Sequence, residues 1–177
     1  VYRVATTAEL QESGRLSKLN TKCIVLEYDH ELRKATRKKK ELTSYQDEIK
    51  FLVSHAPRNR FITNLACSLK GTTLVLFRRT DTHAKVVHDL IQLKTSKQLH
   101  YIDGGVDADE REVIRQTVIG HGDSIIVASY GTMSKGVNIP NIDNLIFASP
   151  SKGKITVLQS IGRSLRLSDG KTHATLY

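Results

Sequence analysis

The sequence predicts an α/β fold with an open, mainly parallel sheet that is flanked by helices. From about residue 58 onward, short apolar runs alternate with longer segments of helical periodicity, which is the pattern of βαβ units. The apolar runs are continuous, as in strands that are buried on both faces. The length of 177 residues is sufficient for one domain with a substantial core.

The elements of this fold follow from the apolar pattern in chain order. The predicted strands are residues 72–77, 98–102, 124–129, 144–148 and 173–177. The predicted helices are residues 58–69, 83–93, 108–119 and 154–167, and Asp81 or Thr82 is the expected N-cap of the second. Ligands of such sheets bind beyond the carboxyl ends of the strands. The loops of interest are therefore residues 78–81, residues 129–140 and the helix entry before Gln159.

The first part of the chain lacks this alternation. It contains a strand candidate at 23–28, a basic run at 33–40 and a helix at about 45–53. We expect residues 1–57 to form a connector and residues 58–177 to form the α/β domain. Because the first residue is Val and not Met, we also expect the chain to be a piece of a longer protein.

Composition narrows the class of protein. The 27 Lys and Arg residues exceed the 18 Asp and Glu residues, and the net charge of +9 favours polyanionic partners. A basic surface without a ligand is the alternative. With 39% apolar residues and no run of about 18 apolar residues, neither a disordered chain nor a membrane protein is expected.

The metal-binding residue types are sparse. Cys23 and Cys67 cannot form a disulfide framework or a four-ligand metal site, and both are expected to be buried free thiols. The seven histidines never stand four positions apart on one predicted helix. No metal site is therefore expected in this chain.

Two arginines near the end of the chain form the most informative pattern. Residues 159–166 read QSIGRSLR, with Arg163 and Arg166 three positions apart and Gly162 before the first. Side chains three apart share a helix face, and a planar guanidinium can hold two phosphate oxygens. The glycine lets a phosphate or another backbone approach closely. The alternative is an amphipathic helix whose basic face is only solvated.

A glycine-containing segment follows a predicted buried strand. Residues 129–140 read SYGTMSKGVNIP, and their hydroxyl and backbone N–H groups suit phosphate or ribose contacts. Gly131 and Gly136 have the spacing of P-loop glycines, but Val137 and Asn138 stand where that loop requires Lys and Ser or Thr. A P-loop is therefore excluded, and an ordinary glycine-bearing loop stays open as the alternative.

Together these segments resemble the motifs of superfamily 2 helicases. Residues 129–140 are similar to motif V, residues 159–166 are similar to motif VI with its Q-x-x-G-R-x-x-R pattern, and residues 74–80 stand where motif IV is expected. The resemblance covers about residues 60–177. It implies the second RecA-like domain of such an enzyme, which agrees with the predicted sheet.

Two shorter segments refine the resemblance within this superfamily. Residues 43–50 and 157–163 are most similar to phage recombination helicases that remodel branched DNA. This resemblance also implies that residues 1–57 connect the domain to a preceding ATPase domain.

The resemblance implies roles for individual residues. Arg163 and Arg166 would be catalytic, as arginine fingers that neutralise charge on the γ-phosphate of ATP. The residues implied in ATP binding are Gln159, Gly136, Asn138 and Gly162. The residues implied in nucleic-acid binding are Ser129, Tyr130, Gly131, Arg78 and Arg79.

Some of these positions depart from the family or have a simpler explanation. Asn138 stands where many relatives have Asp, which leaves its ribose contact open, and Gln159 stands where others often have His. Arg78 and Arg79 would equally suit a solvated loop, and Tyr130 would equally suit a partly buried ring beside the sheet.

The remaining parts of an ATPase site are missing from the sequence. It contains no G-x-x-x-x-G-K-[ST] pattern, and its nearest match to a D-E-x-[DH] box, residues 47–50, ends in Lys. Hydrolysis needs a phosphate cradle, a carboxylate for Mg²⁺ and a group that orients water. We expect an N-terminal ATPase domain of the same protein to bind most of ATP and Mg²⁺, and this chain alone to be inactive.

The predicted function is therefore the second motor domain of an ATP-dependent DNA helicase or annealing enzyme. Single-stranded or branched DNA is the expected partner, and RNA stays open because the same motifs serve both polymers. The expected location is the cytoplasm, that of the host cell if a phage encodes the protein. The alternative is a stand-alone basic α/β module that binds nucleic acid or protein without any link to ATP.

Overall fold

The computed structural model describes residues 6–29, 45–134, 139, 141–151, 153–168 and 170–177. The strands in this part of the chain are β1 (Lys18–Thr21), β2 (Thr72–Phe77), β3 (Gln98–Ile102), β4 (Ser124–Ser129), β5 (Ile142–Phe147) and β6 (His173–Leu176). Its helices are α1 (Thr7–Glu12), α2 (Tyr45–Ser54), α3 (Ala56–Ser68), α4 (Lys85–Gln92), α5 (Ala108–His121), α6 (Tyr130–Ser134) and α7 (Lys154–Ser164). A π-helical turn, Thr80–Ala84, leads into α4.

The strands form one sheet in the order β1-β6-β5-β2-β4-β3. All the strand pairs of the described chain are parallel, so the segments between the strands return the chain to the same edge each time. This confirms the predicted α/β class. The predicted bounds of β2, β3 and β4 are also confirmed.

Helices cover both faces of this sheet. One core cluster packs alternate residues of β2, Leu74 and Leu76, with Val118 of α5 and Tyr130 of α6. A second cluster packs the intervening residues of the same strand with residues of α3 and α4. Every residue of β2 is therefore buried, which explains its continuous apolar sequence.

The first strand lies at a different place from the one predicted. The apolar segment 23–28 forms no strand, and Ile24 and Val25 are 41% and 80% exposed. Instead Lys18–Thr21 pairs with β6 at the edge of the sheet. A polar edge strand is held by backbone hydrogen bonds and needs no apolar run, so hydropathy did not reveal it.

The helix after β2 also begins differently. We expected Asp81 or Thr82 as its N-cap, but the residue that precedes the helical turn is Arg79, and its side chain makes no capping bond. The N–H of Ala84 donates to the carbonyl of Arg79, five residues back, at 3.1 Å. This wide turn contains His83, which is 1% exposed, and leads directly into α4.

Two other helices differ from the prediction at one end. The helix α5 continues two residues beyond its predicted end to His121, and Gly122, whose φ of 67° is left-handed, follows it. The helix α7 ends at Ser164, so Arg166 lies just beyond it and not within it.

The cysteines are free but not buried as predicted: Cys23 is exposed and Cys67 is half-buried. Among the described residues, no helix combines the length and the apolar composition that crossing a membrane requires. The division of the chain at residue 57 stays a prediction, although β1 shows that the first part contributes a strand to the common sheet.

A close contact at the start of β2 leads to a stability prediction. Gly71 has a φ of 79°, and a Cβ added to it would lie 2.4 Å from Oδ2 of Asp143. That carboxylate accepts a hydrogen bond from the N–H of Thr72 at 2.8 Å, so it cannot move aside without losing the bond.

We therefore expect Gly71→Ala to lower the free energy of unfolding by about 2 to 5 kcal/mol, from backbone strain plus a disturbed buried hydrogen bond. Gly122→Ala is the matched control, because its φ of 67° is similar but nothing lies within 4 Å of the added atom. It should cost only the strain of about 1 to 2 kcal/mol. Urea denaturation measures both variants, and equal losses would contradict the role of the Asp143 contact.

Candidate functional site

The carboxyl ends of the parallel strands all lie at one end of the sheet, which we call the carboxyl edge, and their amino ends lie at the opposite amino edge. The register pairs Phe77 of β2 with Ser129 of β4, and Leu76 of β2 with Phe147 of β5. Arg78, Ser129 and the residues that follow β5 therefore lie side by side at this edge. The structure thus brings together the loops after residue 77 and residue 129, as the sequence predicted.

The hydroxyl of Ser129 is used within the chain. Its Oγ accepts a hydrogen bond from the N–H of Thr132 at 3.0 Å and lies 2.6 Å from Oγ1 of the same residue. These contacts begin the short helix α6 directly at the strand end. Gly131 is exposed in the first turn of this helix. A ligand at this edge would reach the backbone around Gly131 more easily than the Ser129 hydroxyl.

Tyr130 is buried in the core and does not lie on the surface. It is 6% exposed, its ring packs 5.7 Å from that of Phe147, and its hydroxyl donates to the carbonyl of Ser149 at 2.8 Å. Burial raises the pKa of this hydroxyl well above its usual range. In this conformation the ring cannot stack on a base, so its role is to fix α6 against the end of β5.

The two arginines after β2 differ in their surroundings. Arg78 is exposed, whereas Arg79 is half-buried and donates from Nη2 to Oε1 of Gln46 at 3.0 Å. Arg79 therefore ties the loop to α2, and Arg78 is the better placed of the two for a nucleic-acid contact.

The residues that resemble motif VI lie on the helix α7 and directly after it. Gln159 and Gly162 are exposed, Arg163 is half-buried and Arg166 is exposed. Nothing lies within 4 Å of a Cβ built on Gly162, so no close contact inside the described chain requires a glycine there. Glycine costs a helix about 1 kcal/mol relative to alanine. The open space fits a close approach from outside the chain.

Arg166 stays beside Arg163 although α7 has ended. Its N–H donates to the carbonyl of Arg163 at 3.3 Å, which tightens the last turn. Burial lowers the pKa of Arg163, and the positive charge of Arg166 lowers it further. Two neighbouring guanidinium groups that repel each other favour an anion, because a shared anion offsets the repulsion.

Arg163 and Arg166, here called the arginine pair, lie apart from the residues at the carboxyl edge. The helix α7 connects the adjacent parallel strands β5 and β6, so it begins at the carboxyl edge and runs back toward the amino edge. Its entry at Gly153 lies where the sequence predicted, but Arg163 lies about 15 Å further on at the rise of an α-helix, and Arg166 follows the end of the helix. The helix α6 packs against α7 and connects the two groups.

A buried polar network closes the carboxyl edge, and sequence reasoning did not find it. His83 is 1% exposed, and its ring nitrogens lie 3.2 Å from Oγ of Ser149 and 3.1 Å from Oδ1 of Asn59. Arg58 donates from Nη2 to the carbonyl of Ala148 at 2.5 Å. His83 stands four and eight positions before the buried Val87 and Ile91, and this spacing was the available signal.

Two predicted ATP contacts, Gly136 and Asn138, lie outside the described residues. Within the described ranges, no group of three or more His, Cys, Asp or Glu side chains is placed to hold a metal ion. The donor set of this part of the chain therefore fits an anion at the arginine pair and does not fit Mg²⁺.

Comparisons with known proteins agree with this arrangement. Residues 58–168 match the family model of the helicase conserved C-terminal domain. The chain is 36% identical over 180 residues to the ATP-dependent DNA helicase UvsW of Enterobacteria phage T4, a match that includes the whole chain and 35% of UvsW. The chain thus spans about a third of the length of this relative.

Solved structures show the same relationship. The structure of T4 UvsW matches with a TM-score of 0.72 and 36% identity, over 90% of this chain and 31% of the other. The yeast DEAD-box splicing factor Prp28 matches with a TM-score of 0.55 and 18% identity, over 68% of this chain and 26% of the other. The second match shows the shared fold only. The predicted resemblance to superfamily 2 helicases, and to UvsW in particular, is confirmed.

The buried network leads to a prediction for stability against pH. Burial, together with the nearby charge of Arg58, lowers the pKa of His83 from 6.5 to about 4. In the unfolded chain this histidine takes up a proton below about pH 6.5, whereas the folded chain resists until about pH 4. Its contribution to stability is therefore complete above pH 6.5 and is lost as the pH falls toward 4.

We expect the protein to lose about 2 to 3 kcal/mol from this group over that window, and His83→Gln to remove this part of the slope. His121→Gln is the matched control, because His121 is exposed at the end of α5 and lies outside the buried network. Denaturation at several pH values measures the difference. An unchanged slope in His83→Gln would contradict the assignment.

Proposed function

Because the chain belongs to the family of helicase conserved C-terminal domains, we propose that it is the second motor domain of an ATP-dependent DNA helicase. The sequence resemblance further suggests an enzyme that remodels or anneals branched DNA in recombination and repair. The chain would act in the cytoplasm, which is that of the host cell if a phage encodes it. The arginine pair beside the open Gly162 is the observation that carries this proposal.

In the proposed mechanism the chain supplies half of a composite ATPase site. An N-terminal ATPase domain of the same protein would hold ATP and Mg²⁺, since this sequence contains no P-loop pattern and its described residues offer no fitting carboxylate cluster. Closure of the two domains would bring Arg163 and Arg166 to the γ-phosphate. Their fixed charge would then stabilise the charge that develops on the transferred phosphoryl group.

The residues around this pair fit the same role. Gln159 is exposed one helical turn before Arg163, where it can sense the γ-phosphate or contact the partner domain. Gly162 leaves room for phosphate or backbone to approach. Gly136 and Asn138 remain proposed ATP contacts on sequence resemblance alone.

The proposed nucleic-acid contact lies at the carboxyl edge of the sheet. Exposed Arg78 and the backbone around Gly131 are its best-placed groups, and Ser129 takes part by holding α6 in place. Contacts of this type bind phosphates and carry no sequence information. Single-stranded or branched DNA is the proposed partner, and RNA offers the same phosphates. In this scheme residues 1–57 connect the two domains.

The arginine assignment can be tested in the complete protein that carries this chain and an ATPase domain. Arg163→Ala and Arg166→Ala should each lower kcat for ATP by about 10³-fold or more, because the lost contact acts on the transition state. Lysine at either position should restore little, since a point charge cannot make a two-pronged contact. Thermal midpoints should change by only a few degrees, because neither side chain is buried in the core.

Arg115→Ala is the matched control for this experiment. Arg115 makes an exposed ion pair with Glu112 on α5, at 2.6 Å, and should leave turnover unchanged. The chain alone provides a baseline without turnover. Normal kcat in both arginine variants would overturn the proposed function and favour a basic binding module without a link to ATP.

The proposed DNA contact predicts a strong dependence on salt. With a net charge of +9 and one half of a cleft, the chain alone should bind DNA weakly and without sequence preference. Its affinity should fall steeply between about 50 and about 200 mM salt. Arg78→Ala should reduce the slope of log K against log salt by about one unit. Fluorescence anisotropy measures this slope, and a shallow slope or tight binding to one sequence would contradict the proposal.

A further inference from the structure

The carbonyl groups at the end of α7 are held by residues from two distant parts of the chain. The ammonium of Lys171 donates to the carbonyls of Ser164 at 2.6 Å and Arg166 at 3.1 Å. The N–H of Ser17 donates to the carbonyl of Leu165 at 2.9 Å. Three successive carbonyls, that of the last residue of the helix and those of the two residues after it, are therefore bound by groups that precede β6 and β1.

This end differs from the end of α5. The helix α5 ends with left-handed Gly122, whose N–H donates back to the helix. The helix α7 ends with Leu165 in a right-handed conformation, whose N–H also donates back to the helix, and a lysine side chain additionally binds the carbonyl of its last residue. A cation at this end also complements the negative end of the helix dipole.

Lys171 is unusually buried for a lysine. It is only 8% exposed, and burial lowers its pKa to about 8, against the opposite effect of the Asp143 carboxylate. Lysine is almost never buried without partners, because its charge loses hydration. The contacts with the end of α7 therefore account for a side chain that would otherwise be costly to bury.

The position of Lys171 is itself fixed by the sheet. Gly170, with a φ of 77°, turns the chain into the strand, and the carbonyl of Thr172 accepts from the N–H of Lys18 at 3.0 Å. The Asp143 carboxylate that acts on Lys171 is bonded to the N–H of Thr72, the first residue of β2. Lys171 thus joins the backbone of Arg166 to the rigid amino edge of the sheet.

We propose that Lys171 is a positioning residue for the arginine pair. It holds the backbone at Ser164 and Arg166, so that both guanidinium groups are in place before ATP arrives. This inference rests on the proposed function of Arg163 and Arg166. Catalytic groups must be held closely in position, and a displacement of about 1 Å can cost about 10²-fold in rate. Loss of the Lys171 contacts should therefore affect turnover more than substrate binding.

The test uses Lys171→Met in the complete protein, because methionine has a similar length and no donor. We expect kcat for ATP to fall by about 10- to 100-fold, with KM for ATP changed by less than about threefold. The measurement is made well below the thermal midpoint of the variant. Lys97→Met is the matched control. Lys97 also donates to a backbone carbonyl, that of Leu69, and to the Asp123 carboxylate at 2.8 Å, but it does not touch α7. It should keep kcat within about twofold.

A mutant cycle against the arginine pair separates positioning from general damage. If Lys171 acts through Arg163 and Arg166, Lys171→Met should lower kcat by less than about twofold in a background that carries both Arg163→Ala and Arg166→Ala. Independent effects that multiply would overturn the proposal, as would normal kcat in Lys171→Met while the arginine variants are impaired. Normal kcat in both single arginine variants would instead overturn the proposed function.

The proposal stays testable if Lys171→Met does not fold. Lys171→Gln keeps one amide donor, and circular dichroism shows whether either variant folds. A folded Lys171→Gln variant is carried through the same cycle with the same expected outcomes. Loss of folding in both variants would overturn the proposal, because Lys171 would then hold the fold together and not the arginine pair alone.

Discussion

The burial of β2 on both faces is the constraint on which the rest of the structure depends. Each of its six residues is buried, and it pairs with β4 on one side and β5 on the other. A strand without solvent contact must have helices on both faces, and a parallel sheet must return the chain through those helices. The loops after β2, β4 and β5 are thereby brought to one edge, whatever their own sequences are.

Polar groups at that edge then require internal partners, because it is closed by packed helices. His83, Tyr130 and Arg58 come from three different elements and all bond to residues 148 and 149, directly after β5. Burial lowers the pKa of both His83 and Arg58. An unsatisfied group here would cost about 1 to 3 kcal/mol, so the network holds α3, α6 and the π-helical turn to a single point.

The strands of the regular strand and helix alternation could be predicted from the sequence, and the first strand could not. The apolar runs of β2 and β4 reveal their bounds because these strands are held by side-chain burial, and β3, although it lies at an edge, still carries alternating apolar residues. The strand β1 is held by backbone pairing with β6, and the sequence of Lys18–Thr21 carries no hydropathy signal for it. The partners of His83 in the π-helical turn likewise come from distant segments, Asn59 of α3 and Ser149, two residues after β5.

In the candidate site too, some residues can be identified from sequence spacing and others only from their contacts in the folded chain. The spacing of Arg163 and Arg166 marks them as a pair, but burial of Tyr130 depends on the carbonyl of Ser149, which no motif indicates. Ser17 was missed because its contact with the end of α7 joins segments about 150 residues apart in the chain. Lys171 was missed because it contacts backbone carbonyls, which no side-chain pattern indicates. Short motifs report residues that meet a ligand, and they omit the residues that hold those groups in place.

The direction of α7 has the largest consequence for how the proposed motor would work. The helix begins at the edge proposed for nucleic acid and ends at the arginine pair, so one rigid element reaches both groups. It contacts α6, whose first turn is set by Ser129, and at its end it is held by Lys171. Under the proposed function, DNA bound at that edge would therefore act on α7 through α6, while Lys171 holds the arginine end of the helix against the sheet. DNA contact and ATP turnover would then share one helix, without any described residue that touches both ligands.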